Sequence, residues 1–183
     1  SRSGRLVFVQ DVVAAACTED EDVVPRTTIQ SVVADAPFQQ VIAGAMMETL
    51  AADVLVANGK TAEAMNTYQR ALKVYPQHRA LSHGYARTLI QNKKPQVALE
   101  FINNQLQFIQ NDAQLFGLQA QCYELLGDRM LEHRAQAEVY FHKGHYGAAI
   151  DQLKTALQND NGNFYQLSSI EARLKQLQTL KSD

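Results

Sequence analysis

Small and large apolar residues recur along the chain at helical spacing, grouped into pairs of predicted helices. The clearest pair lies in residues 45–78, where Gly59 provides the turn between the two helices. The first helix carries alanines and a leucine on one side, and the second carries Ala64, Tyr68 and Ala71 before a closing proline. Glycine at a helix end and proline shortly after one are typical termination signals. We therefore predict two short helices that approach each other closely through their small residues.

The same arrangement returns further along the chain. Ala98 follows Ala64 at a spacing of about 34 residues. The turn in this second pair contains Asn92, which we expect to accept the left-handed conformation at the helix end, and Pro95, which suits the start of the next helix. Helix pairs with this period and these small residues resemble the tetratricopeptide repeat.

The register of the pattern changes in the third pair. Gly127 lies two periods after Gly59, but the next turn signal, Gly144, comes only half a period later. Residues 128–143 are therefore predicted to serve twice, as the second helix of the third pair and the first helix of a fourth. The tail from residue 163 carries a single apolar stripe, which predicts a final helix. Its outer face carries Arg173, Lys175 and Gln176.

The predicted fold is an all-α tetratricopeptide-repeat (TPR) solenoid over residues 41–183. We expect a right-handed superhelix of about four helix pairs with a C-terminal capping helix. Residues 1–40 do not fit the period, and prolines at 25 and 37 interrupt them. Short helices are predicted there, with partial disorder or a cap on the stack as alternatives. The segments concerned are two candidate helices at 12–16 and 27–35, an acidic turn at 18–22, and an apolar run at 6–17 that is too short to span a bilayer.

Composition excludes several classes of function. Of the 183 residues, 46% are hydrophobic, so a sizeable core can form, and 17 basic residues nearly balance 19 acidic ones. A chain with this charge lacks the basic surface that nucleic-acid binding requires. The two cysteines, Cys17 and Cys122, are too few for a disulfide framework or a metal knuckle. Cys122 lies at helical spacing from neighbouring leucines, which predicts a buried thiol.

The sequence contains no recognisable catalytic or metal-binding motif. None of its five histidines belongs to the HExxH pattern of zinc peptidases. His142 and His145 form an H-x-x-H across the Gly144 turn, but no cysteine or carboxylate completes the three or four ligands that zinc needs. A nucleophile, a base and an orienting group cannot be assembled either. We therefore expect a non-catalytic chain without metal or cofactor.

Longer runs in the C-terminal third resemble one particular family. The runs are His133-Arg134-Ala135-Gln136-Ala137-Glu138, Tyr140-Phe141, Ala149-Ile150-Asp151-Gln152-Leu153-Lys154, Phe164-Tyr165 and Ile170-Glu171-Ala172-Arg173-Leu174. Together they resemble the C-terminal repeat domain of bacterial periplasmic zinc metallopeptidases of the beta-barrel assembly-enhancing protease family. The resemblance covers residues 41–183 and is strongest over 112–178.

That resemblance implies that the chain is the non-catalytic repeat domain of a larger enzyme. In the family, an N-terminal peptidase domain holds zinc through HExxH, so zinc is expected only in a peptidase domain outside this chain. The parent would act in the periplasm, in outer-membrane protein assembly and quality control. The implied partners are proteins or peptides, such as outer-membrane assembly components or the parent's own peptidase domain, with no nucleic acid and no membrane insertion. The alternative is a free-standing TPR adaptor or scaffold without a peptidase.

The first helices of such repeats line the concave face of the solenoid, so their outward side chains form the predicted binding surface. The candidates are His83, Arg87, Gln114, Gln121, Arg134, Glu138 and His142, preceded in the first pair by Thr49 and Asp53. Their mixed charge and many hydrogen-bonding groups suit peptide recognition, although any one of them could be only a solvated side chain. The set of Lys, Asn and Arg that clamps a C-terminal carboxylate in some repeats is missing from these positions, which disfavours that ligand.

Overall fold

The computed structural model describes residues 26–158 and 163–182. Within these ranges the chain is entirely helical, as the sequence predicts. Its helices are α1 (Arg26–Ala57), α2 (Thr61–Val74), α3 (Arg79–Gln91), α4 (Pro95–Leu106), α5 (Ala113–Leu126), α6 (Arg129–His142), α7 (Tyr146–Gln158) and α8 (Phe164–Ser182). One compact unit comprises Ile42–Asp183. The predicted helix at 12–16, the acidic turn at 18–22 and the apolar run at 6–17 lie outside the described residues.

Four of the turns between helices, one within each helix pair, use the left-handed backbone conformation. Gly59, Gly127 and Gly144 have φ angles of 75°, 78° and 79°, which glycine adopts without steric cost. At the turn without glycine, Lys93 takes this conformation, with a φ of 57°, and the prediction that Asn92 would take it is wrong. Asn92 keeps a negative φ because its side-chain amide donates to a carbonyl of the last turn of α3, at 2.9 Å.

The first helix is longer than its sequence pattern predicts. It runs over 32 residues and includes Pro37, where the short helix at 27–35 was expected to end. A single interior proline removes one backbone donor and strains one turn. The turns on either side remain helical, so α1 continues through the proline.

The second half of α1 is apolar, but two of its acidic side chains form hydrogen bonds with α2. The 18 residues Gln40–Ala57 have a mean hydropathy of 1.4, so by length and composition alone they could cross a membrane. One such helix is weak evidence for a membrane role. The carboxylates of Glu48 and Asp53 lie in this stretch and bond to Arg70 and Tyr68 of α2, which favours packing on α2 over burial in lipid.

The first core joins α1 to α5 through alternating small and large side chains. Two helices approach closely at Gly84 of α3, where an added Cβ would lie 2.5 Å from the Tyr68 hydroxyl and 2.7 Å from the ring. Tyr68 is fully buried and donates its hydroxyl to Asp53. Burial, together with that carboxylate, raises the pKa of Tyr68 above its ordinary value. Around it the buried residues are Ala45, Ala52, Ala64, Ala71, Leu81, Ala86, Leu89, Ala98 and Ile102.

The second core lies where α6, α7 and α8 meet. The buried residues there are Met130, Ala137, Ala149, Ile150, Leu153, Ala156, Ile170 and Leu177. α6 packs against α5 on one side and against α7 on the other. This is the double role that the half-period shift predicts for residues 128–143.

We predict that Gly84→Ala destabilises the protein, because its methyl group would overlap the buried Tyr68 ring. Overpacking of this kind costs about 1–3 kcal/mol, more than the gain of up to about 1 kcal/mol from replacing a helical glycine. Thermal and urea unfolding would measure the loss. Gly117→Ala is the matched control, since its Cβ would meet only Val139, at 3.9 Å. Equal stability of the two variants would contradict the close contact.

We also predict that Ala149→Arg unfolds the second core. Ala149 is completely buried between helices, and a charged side chain without a partner costs several kcal/mol at such a position. The readout is the melting temperature by circular dichroism. Ala172→Arg, at an exposed position of α8, should leave it nearly unchanged. An unchanged melting temperature for Ala149→Arg would show that the helix register here is wrong.

Candidate protein-binding clefts

One cleft lies where α3, α5 and α6 meet. It has a volume of about 490 Å³, and we name it the Arg87 cleft; its lining includes Arg87, Gln114, Gly117, Gln121, Gln136, Val139 and Lys143. Its two cations are exposed, and its other polar groups are amides. Three of the predicted groove residues, Arg87, Gln114 and Gln121, come together here, as the repeat period predicts.

A second cleft lies between α4, α5, α6 and α8. It has a volume of about 580 Å³, and we name it the Arg134 cleft; its lining includes Asn103, Gln110, Asn111, Phe116, Gln119, Tyr123, Arg134, Glu138, Phe141, His142 and Arg173. Three further residues of the predicted surface, Arg134, Glu138 and His142, all lie on α6 and line this cleft. The predicted surface is therefore divided between two clefts.

The division follows from the geometry of α6. Successive residues of an α-helix are rotated about the helix axis by about 100°. The stripe formed by Arg134, Glu138 and His142 therefore points in a direction roughly 120° or more from that of the stripe formed by Gln136 and Lys143. The second stripe faces α3 and α5 in the Arg87 cleft. The sequence interpretation treated α6 only as a first helix when it assigned outward positions. Because α6 also packs against α5 as its second helix, its outward stripe lies on a different surface.

Three predicted groove residues lie in neither cleft: Thr49 and Asp53, which line a separate hollow beside α1, and His83. Its Nε2 lies 2.8 Å from Oδ2 of Asp112, and its side chain is only 14% exposed. Since a carboxylate can only accept, Nε2 is the donor. The other carboxylate oxygen of Asp112 accepts from the backbone N–H groups of Gln114 and Leu115, at 3.0 and 3.1 Å. His83 thus holds the N-terminal cap of α5, a structural role.

The charge of Asp112 is stabilised where it lies. Burial by itself would raise the pKa of this carboxyl group, but the backbone N–H of Leu115, the His83 side chain and the backbone N–H of Gln114 together lower it below its ordinary value. A carboxylate at a helix N-terminus also interacts favourably with the helix dipole. The cap, the dipole and the His83 bond all favour the ionised form.

One wall of the Arg134 cleft is an ion pair between helices. Arg173 of α8 donates through Nε and Nη2 to the two carboxylate oxygens of Glu138 on α6, at 2.8 and 2.6 Å. Its third nitrogen donates to Gln176 at 2.7 Å, and its guanidinium lies 4.3 Å from the centre of the Phe141 ring. The expectation that Arg173 lies on the outer polar face is wrong, because Glu138 and Phe141 provide a charge partner and a ring face that spacing along α8 cannot reveal.

The opposite part of the cleft is aromatic. Phe116 of α5 stacks on the His142 ring, with the centroids 5.2 Å apart and an interplanar angle of 17°. Nearby, burial raises the pKa of Tyr123, and the positive charge of Arg134 opposes the rise. The repeat period did not single out Phe116 or Tyr123 as groove residues. Both are only partly buried and line the cleft.

Comparison with known proteins identifies the repeats. Residues 55–122 match the family model described as "Tetratricopeptide repeat". This part of the chain therefore carries tetratricopeptide repeats. Among solved structures, the one described as "MamA RS-1 ArsTM double mutant" is similar, with 14% identity, a TM-score of 0.50, and coverage of 75% of this chain and 76% of that chain. This likeness supports the fold alone.

A thermophilic TPR protein from Thermus thermophilus is 16% identical over 74% of this chain and 99% of that chain, with a TM-score of 0.26. No curated protein sequence matches the chain. The all-helical architecture and the repeat match together confirm the predicted all-α TPR solenoid. The matched range extends from the end of α1 into α5, and α6, α7 and α8 continue the helical stack beyond it.

Two further residues can be placed. Cys122 is a free, fully buried thiol as predicted, and burial raises its pKa to about 11, so it stays protonated and unreactive. His133, part of the family-like run, bonds through Nδ1 to Gln152 of α7 at 2.8 Å. No group of three or more His, Cys, Asp or Glu placed to hold a metal ion occurs within residues 26–158 and 163–182. Cys17 lies outside these ranges.

We predict that Asp112→Asn lowers the stability of the TPR stack in a pH-dependent way. Asparagine caps a helix as well as aspartate, so the substitution removes mainly the charge that pairs with His83, at a cost of about 1–2 kcal/mol at neutral pH. The folded pKa is lowered, so this stabilisation is complete above the unfolded value of about 3.9. It is lost as the pH falls through the folded pKa.

Urea unfolding of both proteins between neutral pH and about pH 3 would measure this difference in stability, which should shrink on acidification. Asp128→Asn is the control, because Asp128 caps α6 through Leu131 but is only half-buried, whereas Asp112 is buried. A difference that stays constant down to the lowest pH would rule out the Asp112 charge as its source.

Proposed function

We propose that this TPR protein is a non-catalytic interaction module that binds segments of other proteins in its two clefts. The observation that supports this most directly is the Arg134 cleft. Four helices converge there on an exposed cation, several side-chain amides and a partly exposed aromatic stack. Aromatic and arginine side chains in a concave site are the groups that contribute most to protein recognition. The Arg87 cleft offers a second, more polar surface.

We further propose that the module belongs to a periplasmic zinc metallopeptidase that acts in outer-membrane protein assembly and quality control. Support comes from the family-like runs between residues 133 and 174. Three of their residues, Glu138, Phe141 and Arg173, form the wall that joins α8 to α6, so the runs coincide with one cleft. Under this proposal, zinc belongs to a peptidase domain outside this chain, and the repeats present substrates to it or dock on the assembly machinery.

Site-specific photo-crosslinking would test the interaction role. A benzophenone amino acid would be placed at Asn111 in the Arg134 cleft, at Gln121 in the Arg87 cleft, and at Lys175 on the exposed side of α8 as the control; all three positions are exposed. The full chain would be irradiated in a bacterial envelope extract, and the products identified by mass spectrometry. We expect adducts at one or both cleft positions that are missing at Lys175.

The variants Arg134→Gln and Arg87→Gln would assign any adduct to its cleft. Loss of the Asn111 adduct only in Arg134→Gln, or of the Gln121 adduct only in Arg87→Gln, would support binding there. Adducts of equal yield at all three positions would contradict the cleft assignment. Outer-membrane assembly components or a peptidase domain among the adducts would favour the metallopeptidase proposal. A full-length reading frame without HExxH would favour the free-standing adaptor.

A further inference from the structure

We infer that the Arg134 cleft binds an extended peptide segment through an acidic side chain and an aromatic side chain four residues away. This inference rests on the proposed interaction role and names its ligand chemistry. The occupant is an internal segment of a partner protein.

Arg134 is the free cation of the cleft. It is exposed, and it has no ion-pair partner in the described part of the chain. A guanidinium presents several donors in a plane and pairs with a carboxylate through two parallel hydrogen bonds. The nearby Tyr123 hydroxyl is kept neutral by burial, so it does not satisfy this charge.

The other charges in the cleft are already satisfied. Glu138 accepts from Arg173 with both oxygens, and Arg173 has its remaining nitrogen on Gln176. Because Glu138 is neutralised, it neither pairs with Arg134 nor repels an incoming carboxylate. The cleft as a whole therefore presents one positive charge, at Arg134.

The aromatic stack provides the second contact. The rings of Phe116 and His142 are nearly parallel, and both residues are partly exposed. Aromatic side chains pack well on such surfaces, in offset or edge-to-face arrangements. Asn103 of α4 also lines the cleft, where it accepts from Gln119 at 2.7 Å and hydrogen-bonds the Tyr123 side chain.

The distance between the two contacts sets the spacing of the ligand. Arg134 and His142 are eight residues apart on α6, which is about 12 Å along the axis at about 1.5 Å per residue. An extended peptide advances about 3.3 Å per residue and alternates its faces. Residues four apart therefore lie on the same face, about 13 Å from each other. Residues three apart point to opposite faces of the extended peptide.

The carboxylate belongs to an internal side chain rather than to a chain terminus. Terminal carboxylates are captured where several donors converge, as in a backbone nest. Here a single unpaired guanidinium, that of Arg134, faces the cleft, with the aromatic stack some two helical turns away. This arrangement suits a segment that continues past both contacts.

Fluorescence anisotropy with designed peptides tests the inference. The probe is a fluorescein-labelled peptide with blocked ends, Ser-Gly-Glu-Ser-Thr-Ser-Phe-Gly-Ser-amide. Comparison peptides replace Glu by Gln, replace Phe by Ser, move Phe one position closer to Glu, or lack Glu and carry a free C-terminal carboxylate four residues after Phe. We expect the probe to bind the full chain about tenfold more tightly than the Gln peptide, with the difference reduced by added salt.

Two variants with matched chemistry locate the site. Arg134→Gln should remove the preference for Glu over Gln while leaving the melting temperature unchanged, because Arg134 is exposed. Arg87→Gln removes the corresponding arginine of the other cleft and should leave the preference intact. Loss of the preference in Arg87→Gln instead would overturn the assignment to the Arg134 cleft.

The remaining outcomes are also decisive. Equal binding of the Glu and Gln peptides, or no binding of the probe at about 1 mM, would overturn carboxylate recognition. Equal affinity of the two Phe spacings would overturn the extended geometry, and tighter binding of the free-carboxylate peptide would overturn the internal source. If crosslinked partners are still found at Asn111, the interaction role stands while this inference fails. If both experiments fail, the proposed function fails as well.

Discussion

The close packing of Tyr68 against Gly84 holds the first repeats together, and much of the rest of the structure depends on it. The tyrosine ring fills the space where a side chain on α3 would otherwise lie, and its hydroxyl reaches Asp53 of α1. The position of α3 then determines where His83 meets Asp112, the cap of α5. α5 in turn contributes one wall to each cleft. A local choice between glycine and a larger residue on α3 therefore affects a surface two helices away.

The half-period shift explains why the protein has two clefts instead of one continuous groove. In a regular repeat array, each helix has one role, so the outward residues of all first helices share a face. α6 packs against both α5 and α7, which leaves two separate stripes of its surface accessible. One stripe completes the Arg87 cleft, and the other forms the Arg134 cleft with the final helix. The shift thus adds a surface that a regular stack would bury.

The charged side chains discussed above fall into two groups with different roles. Two carboxylates that are buried or half-buried are paired: Asp112 with His83 and the start of α5, and Glu138 with Arg173. These pairs position helices, and removing one partner would leave the charge of the other partner without compensation. Arg87 and Arg134 have no such role, because each is exposed and lines a cleft. A cation that is unnecessary for folding but placed in a concave surface is suited to recognition.

The sequence by itself determined the helices that follow α1, the glycine turns and the change of register, because these depend on local spacing and on residues such as Gly59 and Gly144 whose conformational preferences are strong. It also identified Arg87, Gln114 and Gln121 as neighbours, since a fixed period places equivalent positions on one face. It did not predict the split of the binding surface, the structural role of His83 or the ion pair of Arg173. These depend on which helices meet α6 and α8 in three dimensions. Their partners, such as Asp112 and Glu138, lie tens of residues away in the chain, and only tertiary packing decides that they are in contact.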